Sequence, residues 1–188
     1  MPSLKQLLSK YKSVVKFILT FFIVYGVLTL AYKGYLSYSN GKEPFPDFFT
    51  NTVAHQSVSV LNALGFHSEA IVHTEEPSLK LLVDGNYVAR VVEGCNSISV
   101  IILFVAFIVA FSGRFKSTFL YICFGIIIIY ISNILRISLL TISIYKYPGY
   151  IYFVHDIVFP LVIYGVVFLL WVYWVNKLGN QELTDDKK

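Results

Sequence analysis

The sequence VVEGCNSISVIILFVAFIVAF, residues 91–111, decides the fold of this chain because it joins a lone cysteine to an unbroken apolar run. Cys95 lies in a short polar segment, between Gly94 and Asn96. The apolar run that follows predicts a membrane-embedded helix at residues 97–111. We therefore expect Cys95 at the boundary between membrane and water.

The composition is that of an integral membrane protein. Of the 188 residues, 56% are hydrophobic and only 14% are charged, and the mean hydropathy is +0.68. A soluble domain carries about 25% charged residues. The predicted fold class is an all-α integral membrane protein with about four transmembrane helices. Its one extracytoplasmic loop region is predicted to hold an amphipathic helix and a short β-hairpin.

Four apolar runs approach the ~20 residues that cross a hydrocarbon core of ~30 Å. The first run follows a basic start, as a signal peptide would, but it is longer than a signal-peptide core and lacks a clear cleavage site. We therefore predict an uncleaved span. The predicted segments are a basic cytoplasmic N-terminus (1–16), a first span (17–36), an extracytoplasmic region (37–94), three further spans (97–111, 118–144 and 150–175) and a cytoplasmic tail (176–188).

Basic residues near the span ends predict the topology. The N-terminal segment carries four lysines, the step between the second and third spans carries Arg114 and Lys116, and the tail carries Lys177, Lys187 and Lys188. Cytoplasmic segments of membrane proteins are enriched in such residues. We therefore predict that both termini are cytoplasmic. The net charge of +4 reflects this topology and does not indicate nucleic-acid binding.

Residues 37–94 form the only long polar region. Asp47 predicts a helix N-cap, and apolar residues then recur at helical spacing as far as Gly65, a favoured residue at a helix end. Short strands are predicted at 70–72, 79–83 and 87–92, with a hairpin turn at 84–86. The helix is expected to lie on the membrane surface or to cover a site.

Two later residues share the membrane depth predicted for Cys95. Arg136 lies about 18 residues into the third span, or ~27 Å at ~1.5 Å per residue, which is the outer part of that span. His155 lies in the first turns of the fourth span, which enters the membrane from outside. We therefore predict that Cys95, Arg136 and His155 lie in one outer layer, although about 60 residues separate them along the chain.

Each of these residues also has a purely structural interpretation. Cys95 can serve packing, as we expect for Cys123 within its apolar run. Arg136 can extend to the lipid headgroups, and His155 can form an interfacial pair with Asp156. An arginine inside a span costs about 2.5–3.5 kcal/mol on insertion scales and is a functional candidate by default. The convergence of three reactive groups favours a functional site.

The three side chains have the chemistry of a cysteine acyl-transfer site. A neighbouring cation stabilises a thiolate at Cys95, and His155 can exchange a proton with the leaving amine. Arg136 keeps its charge and can donate hydrogen bonds to the oxyanion of a tetrahedral intermediate. Asn133 lies three residues before Arg136 on the same helical face, where it can orient Arg136, bind the substrate backbone or bond another helix.

The pieces Gly94-Cys95-Asn96, Asn133-Ile134-Leu135-Arg136 and His155 at the head of a span resemble the exosortase/archaeosortase family, and most closely its short F-type exosortases. The resemblance covers roughly residues 90–175. It implies a polytopic membrane cysteine peptidase or transpeptidase, a thiol protease in class. Such a protein processes C-terminal sorting signals of exported proteins at the outer face of the bacterial cytoplasmic (inner) membrane.

The resemblance also implies roles for individual residues. Cys95 is then the nucleophile, His155 the acid and base, and Arg136 the partner of the oxyanion or thiolate, with Asn133 and Asn96 as supporting residues. The implied partners are membrane-anchored proteins whose sorting signal combines a short motif, a transmembrane helix and a basic cluster, besides the lipid bilayer itself. No cofactor is implied.

The chain departs from the family pattern in two respects. Many members have about eight spans, whereas four are predicted here, and many have glycine shortly after the cysteine, where this chain has Ser97. These departures concern the type of substrate more than the chemistry.

Two other function classes stay open. One is a non-enzymatic membrane assembly or scaffold subunit, in which replacing Cys95 would have no effect. The other is a small anion transporter that uses Arg136, although the sequence shows neither inverted repeats nor a broken helix. A metal site is not expected, because the histidines and acidic residues of region 37–94 match no ligand spacing.

Overall fold

The structure is a computed structural model that describes residues 11–39, 42–111 and 113–185. Its helices are α1 (Lys12–Ser39), α2 (Phe48–Ala63), α3 (Ile98–Ala110), α4 (Phe115–Lys146) and α5 (Phe159–Asp185). Its strands are β1 (Ser68–Val72), β2 (Ser78–Val83) and β3 (Asn86–Val92). Short helical turns lie at Glu93–Cys95, Pro148–Tyr150, Ile151–Phe153 and Val154–Val158. This confirms the all-α membrane fold class with its small sheet.

Three helical segments are long and apolar enough to cross a membrane: Lys12–Ser39, Phe115–Lys146 and Val154–Lys177. The run predicted as a span at 97–111 forms α3, which has only 13 residues. At ~1.5 Å per residue it is ~20 Å long, shorter than a ~30 Å hydrocarbon core. Three of the four predicted spans therefore have helices of sufficient length, and the span at residues 97–111 stays a prediction.

The helices extend beyond the predicted spans. α1 begins at Lys12 instead of residue 17, and α5 continues to Asp185 instead of ending at residue 175. The lysines at positions 5, 10, 187 and 188, which contributed to the predicted topology, lie outside the described residues. The cytoplasmic placement of both termini therefore stays a prediction.

The helix predicted after Asp47 is confirmed. The Asp47 carboxylate accepts hydrogen bonds from the backbone N–H groups of Phe49 (2.9 Å) and Thr50 (3.2 Å), the bonds that define an N-cap. Gly65, beyond the other end of α2, has a φ of +91°, which a residue with a side chain adopts at a cost. The chain can therefore turn sharply from α2 into β1.

The three predicted strands form one antiparallel sheet in the order β1-β2-β3. The predicted turn joins β2 to β3, with positive φ at Asp84 (50°) and Gly85 (77°), as a tight hairpin requires. One face of the sheet packs on α2 and on α4. We call α2 and the sheet the cap. Its core consists of Val53, Ala54, Val58, Leu79, Leu81 and Val91, packed on Ile137 of α4.

A second core holds α3, α4 and α5 together, and we call it the bundle core. It consists of Phe104, Ile108, Tyr121, Ile129, Val167, Leu170 and Trp174. Gly125 allows a close approach, because a Cβ atom there would lie 2.2 Å from the ring of Phe104. The cap therefore rests at one end of a helix bundle whose shared element is α4.

Candidate active site

One cavity of about 260 Å³ brings together three of the residues singled out in the sequence: Cys95, Arg136 and His155. It lies between β3 of the cap and the last turns of α4. Its other lining residues come from these two elements and from β2: Leu81, Tyr87, Val88, Ala89, Arg90, Val91, Ile137, Leu140, Thr141 and Ile144. The lining is mostly apolar, and its charged groups are the two arginines.

The position of Cys95 follows from the short connection between the sheet and the bundle. Glu93–Cys95 form one 3-10 turn that joins β3 to the start of α3. The side chain of Cys95 is half-buried against the cap core, and both cysteines are free thiols. The backbone carbonyl of Cys95 accepts a hydrogen bond from Asn133 Nδ2 at 2.7 Å. Cys95 is thereby tied to α4 as well as to the sheet.

Asn133 therefore contacts the cysteine turn rather than Arg136. Its side chain is 1% exposed, so its amide has exchanged water for the Cys95 carbonyl. Of the three roles considered for Asn133 in the sequence, the bond between two elements is the one that the structure contains. Breaking this bond would leave two buried polar groups without partners, at a cost of roughly 1–3 kcal/mol.

Asn96 holds the other side of the cysteine turn. Its Nδ2 donates to the hydroxyl oxygens of Tyr32 (2.7 Å) and Thr50 (3.1 Å), and its Oδ1 accepts from the backbone N–H of Ile98 (3.0 Å). These bonds connect α1, α2 and α3 at one buried point. Asn96 does not line the cavity, so its contribution to the site is the placement of Cys95.

Arg136 presents an unused hydrogen-bond donor. The residue is half-buried on α4, and its Nε atom is buried without a hydrogen-bond partner among the described residues. No described carboxylate forms an ion pair with its guanidinium. A buried donor normally finds an acceptor. The side chain can therefore receive an acceptor from a molecule that enters the cavity.

His155 lies in a π-helical turn, Val154–Val158, rather than in regular helix as predicted. The N–H of Phe159 donates to the carbonyl of Val154, five residues back, and Pro160 has no N–H for the carbonyl of Asp156. The signal in the sequence for this turn is the proline. His155 lines the cavity from the π-helical turn.

Asp156 is hydrogen-bonded to His155, with 2.6 Å between Asp156 Oδ1 and His155 Nδ1. Both side chains are about three-fifths exposed, at 60% and 61%. An ionised Asp156 accepts the proton of Nδ1, so the nitrogen free to exchange a proton with another molecule is Nε2. From the sequence, this pair was predicted only as an alternative, interfacial contact.

A further acidic residue adjoins the cysteine turn. Burial, with a smaller contribution from the Asp47 carboxylate, raises the pKa of Glu93. Tyr32 donates to the Glu93 carbonyl at 3.5 Å. The sequence placed the last strand of the hairpin directly before Cys95, and β3 does line the cavity beside it. No role was predicted for Glu93. Within the described residues no group of His, Cys, Asp and Glu has the arrangement of a metal site.

Comparison with known proteins identifies the family but no individual relative. The model of the transmembrane exosortase family matches residues 19–174, which is most of the chain. No curated protein and no solved structure matches it. This chain therefore belongs to the transmembrane exosortase family, and membership implies a membrane-embedded transpeptidase or protease role in protein sorting. The resemblance to the F-type subgroup stays a prediction.

Proposed function

We propose that this exosortase is a cysteine peptidase or transpeptidase that acts on the C-terminal sorting signals of membrane-anchored proteins. Cys95 is the nucleophile, His155 the proton carrier and Arg136 the donor to the oxyanion. The observation that carries the proposal is a cavity of about 260 Å³ that all three residues line, although they lie far apart in sequence. A nucleophile, a base and an oxyanion donor are the groups that acyl transfer requires.

The proposed reaction has two halves. His155 takes the thiol proton, and the sulfur of Cys95 attacks the carbonyl carbon of the scissile peptide, so that the electron pair of the C=O bond moves to oxygen. Collapse of this intermediate breaks the C–N bond, and the leaving nitrogen takes its proton from His155. In the second half, water or another nucleophile gives a proton to His155 and attacks the carbonyl carbon of the thioester. Collapse of this second intermediate breaks the C–S bond, and the sulfur of Cys95 takes the proton back from His155.

Arg136 supports the first half through its unpartnered donor. A carbonyl oxygen that becomes an oxyanion needs N–H groups aimed at it, and the buried Nε of Arg136 has no other acceptor among the described residues. Removing one such donor in acyl-transfer enzymes lowers the rate by about 10²–10³-fold. The low exposure of this atom strengthens its interaction with the developing charge.

The bond between His155 and Asp156 supports the proton transfer. A histidine held at Nδ1 by a carboxylate presents Nε2 as a base and then, once protonated, as an acid. Because both side chains are well exposed, this pair contributes orientation more than stability. Asp156 therefore joins the proposed site as a residue that orients His155.

The proposed topology brings the substrate to this site. A substrate anchored by a C-terminal helix with basic residues on the cytoplasmic side presents the preceding motif just outside the bilayer. With both termini of this chain in the cytoplasm, the cap and the cavity lie in that same outer layer. We accordingly propose a multi-pass protein of the bacterial inner membrane whose cap faces outward.

The experiment uses an immunoblot to follow the size of a co-expressed candidate substrate. This substrate carries a motif, a transmembrane helix and a basic C-terminus. We expect processing by the wild type and none by Cys95→Ala, Arg136→Gln or His155→Ala. The matched control is Cys123→Ala, which replaces the other free cysteine, lies outside the cavity and should process normally. Membrane insertion and amount of each variant are measured in parallel.

The outcomes separate the function classes. Normal processing by Cys95→Ala would exclude Cys95 as the nucleophile and favour the scaffold interpretation. Loss of processing in Cys123→Ala as well would indicate that the thiols act through packing. A thioester on Cys95 that is detected by mass spectrometry in acid-quenched wild type and is absent from His155→Ala would support the assigned order of steps.

A further inference from the structure

The strand β3 is an edge strand, and its free edge borders the cavity. In the order β1-β2-β3, β2 occupies one side of β3, and no described strand pairs with the other side. An edge strand presents unpaired N–H and C=O groups that can accept another strand. Five consecutive β3 residues, from Tyr87 to Val91, line the cavity that also holds Cys95.

The hydrogen bonds between β1 and β2 show which β2 residues face β3. The N–H of Asp84 donates to the carbonyl of His67 (2.7 Å), and the N–H of His73 donates to the carbonyl of Ser78 (3.0 Å). Both pairs continue the register of β1 and β2. Hydrogen-bonded and non-bonded pairs alternate along an antiparallel ladder. The even-numbered residues of β2 therefore bond β1, and Leu79 and Leu81 bond β3.

The register of β2 and β3 then identifies the free groups of β3. Leu79 is opposite Val91, and Leu81 is opposite Ala89, so Ala89 and Val91 are the β3 residues bonded to β2. Arg90 lies between these two residues, and Val92 follows Val91. The backbone N–H and C=O groups of Arg90 and Val92 consequently point to the free edge. This edge leads from Val92 through a single 3-10 turn to Cys95.

We propose that the substrate binds as an extended peptide that adds a strand to the free edge of β3, bonded to the backbone of Arg90 and Val92. The added strand carries its scissile carbonyl toward Cys95. This recognition mode rests on the proposed function and assigns its substrate site. It uses main-chain hydrogen bonds for affinity and pockets for alternate side chains for selectivity.

The walls of the cavity indicate the side chains that such a peptide carries. Side chains of a strand alternate between two faces, and the wall opposite β3 is formed by Ile137, Leu140 and Ile144 of α4. We therefore expect uncharged, apolar or small side chains at every second position of the bound segment. A helical segment would leave the free groups of β3 unpaired, because its own N–H and C=O groups are already bonded.

The first test removes one N–H group from the edge. Arg90→Pro deletes the guanidinium and the outward N–H, whereas the matched control Arg90→Ala deletes the guanidinium, with its ion pair to Glu76, and keeps the N–H. Proline is tolerated there because the deleted N–H does not bond β2. We expect Arg90→Pro to process the substrate roughly 5- to 10-fold more slowly than Arg90→Ala, at similar thermal stability. Equal rates in the two variants would overturn the proposal.

The second test requires no known substrate and no variant that has to fold. The full-length protein in lipid nanodiscs is treated with an acetylated tetrapeptide vinyl sulfone of alternating valine and threonine, and alkylation of Cys95 is followed by mass spectrometry. A series with one N-methyl group at each position in turn removes single N–H donors from the peptide. We expect the rate of alkylation to fall when the N-methyl group is at alternate positions of the peptide. At the other positions the rate should stay within about 2-fold of that of the unmethylated peptide.

The outcomes of the two proposals are distinguishable. Equal effects at all positions, or no alkylation by the peptide while iodoacetamide still alkylates Cys95, would overturn the added strand and leave the catalytic proposal intact. The alternating pattern together with normal processing by Cys95→Ala would overturn the catalytic proposal and leave the peptide site. The alternating pattern together with inactive Cys95→Ala would support both.

Discussion

The cap and the bundle core both pack apolar side chains on α4, but the hydrogen bond that ties the cysteine turn to this helix lies at its cap end. The bundle has a buried bond of its own, from the Tyr121 hydroxyl to the Leu170 carbonyl at 2.7 Å. In the bundle, Phe104 packs into the space above Gly125, and the rings of Tyr121 and Trp174 stack with their centroids 4.7 Å apart. Where the cap and the cysteine turn meet α4, buried polar side chains contact backbone carbonyls. Asn133 donates to the Cys95 carbonyl, and the Ser138 hydroxyl, 2.9 Å from the Ile134 carbonyl of its own helix, lies 3.3 Å from the Ser57 carbonyl of α2.

One face of α4 contacts the bundle core along its first part and the cap along its second part. Its buried residues recur four apart along the helix: Tyr121, Gly125, Ile129, Asn133, Ile137 and Thr141. The first three face the bundle, and Asn133 begins the part that faces the cap and the cavity. Packing in lipid tolerates many apolar residues, whereas a buried amide requires a particular partner. The position of the site should therefore depend on single residues, and that of the bundle on volume.

The largest effect is expected at Asn133. Asn133→Ala leaves the Cys95 carbonyl without its partner and frees the cysteine turn, so we expect processing to fall about 10- to 100-fold, since misplacement by ~1 Å can cost 10²-fold. The free energy of unfolding should fall by roughly 1–3 kcal/mol. Initial processing rates per folded protein and thermal unfolding in detergent measure the two effects.

The control for Asn133 is Ile129→Val, one turn earlier on the same face of α4. This substitution should lower the free energy of unfolding by only about 0.5–1.5 kcal/mol and leave the processing rate unchanged. If both variants lost activity in proportion to their stability, the distinction between the cap and the bundle core would not hold.

The second effect is in the bundle core. Gly125→Ala drives a Cβ atom into the ring of the fully buried Phe104, so we expect a loss of about 1–3 kcal/mol in stability with normal processing per folded molecule. Gly165→Ala is the control, because nothing lies within 4 Å of the added atom there. A specific loss of catalysis in Gly125→Ala would show that the bundle positions the site more tightly than we propose.

The third effect concerns Ser97, the residue that precedes α3. Its φ of +64° is unfavourable for a residue with a side chain, and its buried hydroxyl has no described partner. Ser97→Gly should therefore raise stability by about 0.5–1 kcal/mol and keep activity. Ser99→Gly, within α3, should lower stability instead, by about 0.5 kcal/mol. A loss of stability in Ser97→Gly would mean that the hydroxyl has a partner.

The smallest effect is the pH dependence contributed by Glu93. Its pKa is raised by burial in the folded chain, so the folded state holds the proton more tightly than the unfolded state. The stability that this group contributes is present below its ordinary pKa of about 4.3 and is lost as the pH rises through the raised value. Glu93→Gln should therefore raise Tm at neutral pH and reduce its decline between pH 4 and pH 7. An unchanged Tm profile would contradict this account.

Several features of this chain could be predicted because they depend on local sequence. The apolar runs of α1, α4 and α5, the N-cap at Asp47 and the hairpin turn at 84–86 each follow from short-range preferences. Cys95, Arg136 and His155 were expected in one outer layer because a bilayer confines every span to one axis, and the three residues line one cavity. Their depth in the membrane and their catalytic roles stay proposals.

Other features could not be predicted, because they depend on which elements meet. Three roles were open for Asn133, and its bond to the Cys95 turn could not be selected among them, since the approach of α3 to α4 is set by long-range packing. The π-helical turn at His155 arises from a proline five residues later, whose effect on the chain depends on the contacts of α5.

By itself, the sequence determined the membrane class, the candidate spans and the candidate reactive groups, because hydrophobic runs and residue chemistry act over short distances. Only the tertiary structure decided that the edge of β3 forms one wall of the cavity and that two asparagines hold the cysteine turn. These contacts join residues tens of positions apart. Their partners are selected by the packing of the cap on α4, for which no local pattern in the chain carries a signal.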